Sequence, residues 1–222
     1  MNLNKITLPH YTPKEEILNA TSHSAGIILG IVSCVLCLIK ASDVHACVGS
    51  VIFALSVVVL YTCSTVYHSL KHGNAKKVMR ILDHSTIFIL ITGTSIAITV
   101  TFVFPFAKLP AIIMCSISAV LSTVGTVLTF IDQEKYKKVQ MRLYMVVGYT
   151  SVLMIYPIAK YYKGESLVPF ILALVGGISY SVGVVFYKIG KKKPYFHSIF
   201  HLFVLAGTLL HFAMLYIALG KI

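Results

Sequence analysis

The sequence predicts an all-α integral membrane protein of seven transmembrane helices, with the N-terminus cytoplasmic and the C-terminus outside. Three observations carry that expectation. Hydrophobic residues make up 57% of the 222 residues and charged residues only 12%, against about 45–50% and about 25% in soluble domains. The apolar residues gather into long, unalternating runs. The basic residues, which give a net charge of +12, fall between those runs. A soluble enzyme, a disordered chain and a disulfide scaffold are excluded on composition. Nucleic acid, the usual partner of so basic a chain, is not expected, because the basic residues mark topology.

The apolar runs cover residues 20–39, 46–70, 81–104, 109–131, 143–159, 168–187 and 196–219. Each is long enough, or nearly so, to span the roughly 30 Å hydrocarbon core as a helix. In lipid the backbone must satisfy its own polar groups, and runs without alternation do not suit a barrel. Residues 1–19 form a polar segment with no apolar core, so no cleaved signal peptide is expected there. Residues 20–222 are expected to form a single membrane domain.

Orientation follows from the loops. The side that holds the N-terminus carries Lys5 and Lys14, then Lys71, Lys76, Lys77 and Arg80, then Lys135, Lys137, Lys138 and Arg142, then Lys188 and Lys191 to Lys193. The other side carries Lys40, Lys108, Lys160, Lys163 and Lys221. That bias places the N-terminal side in the cytoplasm. Cys34 and Cys37 have redox-motif spacing but lie inside an apolar run and read as small apolar residues. Small residues at i, i+4 (Ser22, Gly26 and Gly30; Ala173, Gly177 and Ser181) predict close helix–helix packing.

Polar residues inside the spans are costly and therefore point to function. His197 and His201 are four residues apart on one face of the seventh helix. Ser64 and His68 stand in the same relation near the end of the second. Asp83 lies near the start of the third. The alternating topology brings His68, Asp83, His197 and His201 to one depth on the cytoplasmic side, at about 1.5 Å rise per residue. Three imidazoles are the ligand set of a catalytic zinc site with an open position for water. Asp83 would orient or deprotonate that water, and Ser64 would donate a hydrogen bond nearby. A hydrogen-bonded polar cluster without metal is the alternative. Asp83 could instead complement its helix N-terminus, and Ser64 could bond back to its own helix. Glu16, Asn19 and His23 form one stripe at the start of the first helix, which could cap the helix, line the mouth of the site or support it from behind. His84 points away from Asp83, and His211 is too far along its helix to share the metal.

These residues resemble the hemolysin III family, the bacterial branch of the progestin and adipoQ receptors. The matching pieces are Glu16-x-x-Asn19-x-x-Ser22-His23, Ser64-Thr-Val-Tyr-His68, Leu82-Asp83-His84-Ser85, Gly176-Gly177-x-x-Tyr180-x-x-Gly183 and His197-Ser-Ile-Phe-His201-Leu-Phe-Val-Leu-Ala-Gly. The resemblance implies zinc bound by His68, His197 and His201, with Asp83 in contact with the zinc-bound water. It also implies kinship with membrane metal-dependent hydrolases, including alkaline ceramidases. The chain departs from the family at Ser95-Ile96-Ala97, where Tyr-Thr-Pro is usual after Gly-Thr, and in having no Trp.

Three functions are compatible with these features: a zinc hydrolase of lipid amides or esters, with a membrane lipid offering its acyl chain to the bundle interior; a pore-forming cytolysin; and a receptor-like sensor of membrane state with a structural metal. Oligomeric state is not legible in the sequence.

Overall fold

The fold is known from a computed structural model, described for residues 3, 6–153 (side chains to residue 150), 167–190 and 193–219. Six helices form it: α1 (Pro13–Lys40), α2 (Val44–Ser69), α3 (Asn74–Phe102), α4 (Lys108–Leu153), α5 (Val168–Gly190) and α6 (Phe196–Leu219). All six are long and apolar enough to cross a membrane, and no strand occurs among the described residues.

The 46 residues of α4 are not one straight rod. Asp132 has non-helical dihedrals (φ −162°, ψ 93°), and the helix folds back there. Ser118 and Thr150 Oγ atoms meet at 3.2 Å, whereas a straight helix would hold them about 48 Å apart. The two limbs, 108–131 and 133–153, therefore lie side by side and correspond to the fourth and fifth predicted runs. The last part of the fifth run, residues 154–159, lies outside the described residues, as do Lys160, Lys163, Lys191, Lys192 and Lys221.

The helix starts follow local chemistry. α1 begins seven residues before its apolar run because Thr12 and Glu15 form a capping box, with Thr12 N–H donating to Glu15 Oε2 at 2.9 Å. Asp43 caps α2 by accepting from Ala46 N–H at 2.7 Å. Many of the hydroxyls in the spans bond back to their own helices: Ser33, Ser50, Ser56, Ser85, Thr99 and Thr129 each donate to a carbonyl three or four residues earlier. Ser122 pairs with Thr92, and Ser118 lies 3.4 Å from Ser95. These hydroxyls knit helices together. Apolar side chains face outward, including Ile28, Ile31, Val35 and Ile39 on α1 and Ile112, Ile113 and Val120 on α4, the surface expected against lipid.

Neighbours in sequence pack together from α1 to α4, α5 packs on α6, and α6 returns to α1. The bundle encloses a cavity of about 730 Å³, mostly apolar, that reaches from Tyr11 and His197 at one end to Met214 and Ala218 at the other. Along α6, His201 to Ala218 is roughly 25 Å. The small-residue stripe of α1 behaves as expected, since a Cβ on Gly26 would overlap the Tyr61 ring of α2. The stripe of α5 does not. Ala173, Gly177 and Ser181 border the cavity, and a Cβ on Gly177 would meet nothing within 4 Å. The close approach to α6 is made one residue earlier, at Gly176, where a Cβ would lie 2.6 Å from His211 Nδ1.

Gly26→Leu is therefore expected to lower the melting temperature of detergent-purified protein, through overpacking worth about 1–3 kcal/mol or more. Gly177→Ala should leave it essentially unchanged.

Candidate metal centre

His68 comes from the last two turns of α2, and His197 and His201 from the first two turns of α6. One ligand atom from each lies within 4.8 Å of the other two. His201 Nε2 and His197 Nε2 are 3.1 Å apart, and the rings pack with centroids 4.6 to 5.4 Å apart. Tetrahedral coordination with metal–nitrogen bonds of about 2.05 Å requires ligand nitrogens about 3.3 Å from one another. The cluster is at that scale. All three histidines are buried.

The polar stripe of α1 sets their orientation. Glu16 Oε2 lies 2.6 Å from His68 Nδ1. A carboxylate can only accept, so Nδ1 carries the proton and Nε2 is left with its lone pair. That Nε2 is buried and has no hydrogen-bond partner among the described residues. Likewise the Asn19 carbonyl accepts from His201 Nδ1 at 3.3 Å, which frees His201 Nε2. Asn19 Oδ1 accepts from Ser198 Oγ at 2.6 Å, and Asn19 Nδ2 sits 3.4 Å from His68 Nδ1. His23 stacks on His201, with ring centroids 3.6 Å apart at 17°. Two Nε2 lone pairs are thus aimed inward, one of them an orphan in a buried position. Such a donor set fits a divalent metal of the zinc type, and the carboxylate–histidine pairing is the usual support for one.

Asp83 and Ser64 border the same cavity as His197 and His201. Asp83 is not one of the three residues whose ligand atoms converge. Ser64 Oγ, buried, has no partner among the described residues.

Several contributors are not visible in the sequence pattern. Lys76 reads there as one more basic loop residue, yet it is 1% exposed. Its Nζ donates to Glu16 Oε1 at 2.7 Å and to the Leu70 carbonyl at 2.8 Å. Glu15 accepts from Tyr195 N–H at 2.7 Å; Tyr195 has φ 63°, left-handed backbone that a non-glycine residue adopts at a cost. One carboxylate thus ties the start of α1 to the start of α6. Tyr11 stacks on His197 with centroids 4.9 Å apart. Burial pushes its phenol well above the ordinary range, so it stays neutral. The departure at Ser95-Ile96-Ala97 does not touch the cavity, whose α3 wall is made instead by Thr94, Ile98 and Phe102.

A profile described as haemolysin-III related matches residues 11–212. The chain is 34% identical over 201 residues to a hemolysin-3 homolog of Bacillus subtilis, covering 89% of this chain and 91% of the relative. It is 35% identical over 205 residues to hemolysin-3 of Bacillus cereus, covering 90% and 89%. A shorter match, 32% over 88 residues, links it to the human monocyte to macrophage differentiation factor, covering 40% of this chain and 34% of the relative. No solved structure matches the chain. The chain is a multi-pass membrane protein and belongs to the haemolysin-III-related family.

Proposed function

We propose that this protein is a zinc-dependent hydrolase of lipid amides or esters, with seven spans, a cytoplasmic N-terminus and its site on the cytoplasmic side. The observation that carries the reading is the convergence of three imidazoles at one end of a long apolar cavity. His68, His197 and His201 would hold the metal. When bound, zinc polarises a carbonyl and lowers the pKa of water to about 7.

The chain's own residues do the rest. The cavity takes the acyl chain and excludes water from it. Glu16 and the Asn19 carbonyl keep two imidazoles in the tautomer that offers Nε2. Asp83 takes a proton from the attacking water. As the carbonyl C–N or C–O bond breaks, Asp83 returns that proton to the leaving nitrogen or oxygen. Ser64 Oγ–H, buried beside the Asp83 carboxylate, donates to the carbonyl oxygen as charge develops on it.

A second reading, a pore-forming cytolysin, rests on the names of the two Bacillus relatives. It would need a polar path across the full thickness, whereas many of the span hydroxyls here are engaged with their own helices.

Four experiments test the proposal. Mass spectrometry of purified protein should find about one zinc per chain, lost in the folded His197→Ala/His201→Ala variant. Asp83→Ala should keep the zinc and lose turnover of lipid amides or esters by about 10²–10⁴. Retained turnover would remove Asp83 from the mechanism. Ion flux in liposomes that survives the double histidine variant would favour the pore. Glu16→Gln should weaken zinc affinity by about 10–100-fold. It should also cost roughly 3–5 kcal/mol of stability, because Lys76 is left buried without its counter-ion. Titration with a zinc chelator and thermal unfolding read the two effects separately.

A further inference from the structure

Two glutamines on the second limb of α4 have no place in the mechanism above. Gln133 and Gln140 are each 2% exposed and both border the cavity. Neither the amide nitrogen nor the amide oxygen of Gln133 has a hydrogen-bond partner among the described residues, nor has the amide nitrogen of Gln140. Burying an unpaired amide is destabilising, and a chain selected for stability alone would not keep two. They are seven residues apart on a helix, so they share a face about 10 Å long.

Their depth is fixed by two ties between α3 and this limb. Arg80 Nη1 donates to Glu134 Oε1 at 2.7 Å, beside Gln133. Tyr144 Oη donates to the His84 carbonyl at 2.7 Å, one turn beyond Gln140. Arg80 and His84 bracket Asp83 in α3. The two amides therefore stand opposite the Asp83 level, at the same end of the cavity as the histidines.

The charge there is balanced. Glu134 takes Arg80 with one oxygen and Lys137 Nζ with the other, at 3.2 Å, and Asp83 lies close by. Among the described residues that border the cavity, the two Lys and Arg side chains, Arg80 and Lys137, are both taken by Glu134, whereas amide donors and an amide acceptor are left over for neutral polar groups. We infer that Gln133 and Gln140 form a headgroup-reading site that takes an uncharged lipid headgroup, bearing hydroxyl and carbonyl groups, in preference to a phosphorylated one. The inference rests on the proposed lipid hydrolase insofar as it makes these residues selectors of its substrate, but the site binds whether or not the lipid is cleaved.

The test uses two ether lipids that a hydrolase of amides and esters does not cleave: a hexadecylglycerol and the same molecule phosphorylated on its free primary hydroxyl. Adducts with the full-length, detergent-purified protein are titrated by native mass spectrometry. Wild type should bind the uncharged ether about tenfold more tightly than the phosphate. Gln133→Leu/Gln140→Leu should lose about tenfold in affinity for the uncharged ether, the scale of one to two hydrogen bonds, with an unchanged or higher melting temperature. Gln133→Asn, which keeps an amide but draws it back, should lose several-fold and serves if the double variant does not fold. Equal binding of the two ethers, preference for the phosphate, or variants that bind as wild type would overturn the inference. So would a clear drop in melting temperature in both variants, which would mark the amides as partners of structural water. Zinc content and turnover measured on the same preparations separate the two readings. Amide-dependent selectivity without zinc would sink the hydrolase alone, and zinc-dependent turnover with indifferent glutamines would sink the headgroup site alone.

Discussion

The hydrogen bonds that α1 makes to the imidazoles of two other helices are the constraint on which the rest of the site depends. Glu16 fixes His68 of α2, and the Asn19 carbonyl and amide fix His201 and Ser198 of α6. Asn19, His68, Ser198 and His201 are buried and Glu16 is partly so, so the bonds are made in a low-dielectric setting where an unpaired partner is costly. Lys76 then neutralises Glu16 from α3. Four helices are in this way held to one polar knot at one end of an otherwise apolar bundle, and the histidine tautomers follow from it.

The knot sits at one end of a cavity lined mostly by apolar side chains. Its long apolar part is walled by α3, α5 and α6, and the small residues of α5 make the space by leaving it unfilled. Polar chemistry at one end and an apolar channel of roughly 25 Å behind it are the physical requirements for acting on an amphiphile. Under the proposed hydrolase reading, the head of such a molecule would sit at the histidines and its tail among Ile98, Val204 and Met214.

Much of this was legible in the sequence, for identifiable reasons. The helices were, because hydrophobic run length is set by the bilayer and is insensitive to tertiary detail. The histidine cluster was, because i, i+4 spacing and alternating topology are both one-dimensional properties. Glu16, Asn19 and His23 were found as a stripe, though whether they act by hydrogen bond or by stacking was not. Lys76, Tyr11 and Gln133 were not legible. Each sits in a segment whose composition reads as a loop or tail, and its burial depends on how neighbouring helices meet. The α5 stripe misled because small residues make room equally for a helix or for a void, and only the neighbour decides which.

The path of the chain around the bundle bears on how the protein is made. α1 packs against both α2 and α6, so α1, made well before α6, waits for it before its polar edge is fully satisfied. Until α6 arrives, Glu15 lacks its Tyr195 partner and Asn19 its Ser198 and His201 partners. A nascent chain therefore carries part of the polar flank of α1 unpaired until α6 docks. The histidine cluster cannot exist before that moment. An ion that prefers the finished cluster would favour that last step by mass action.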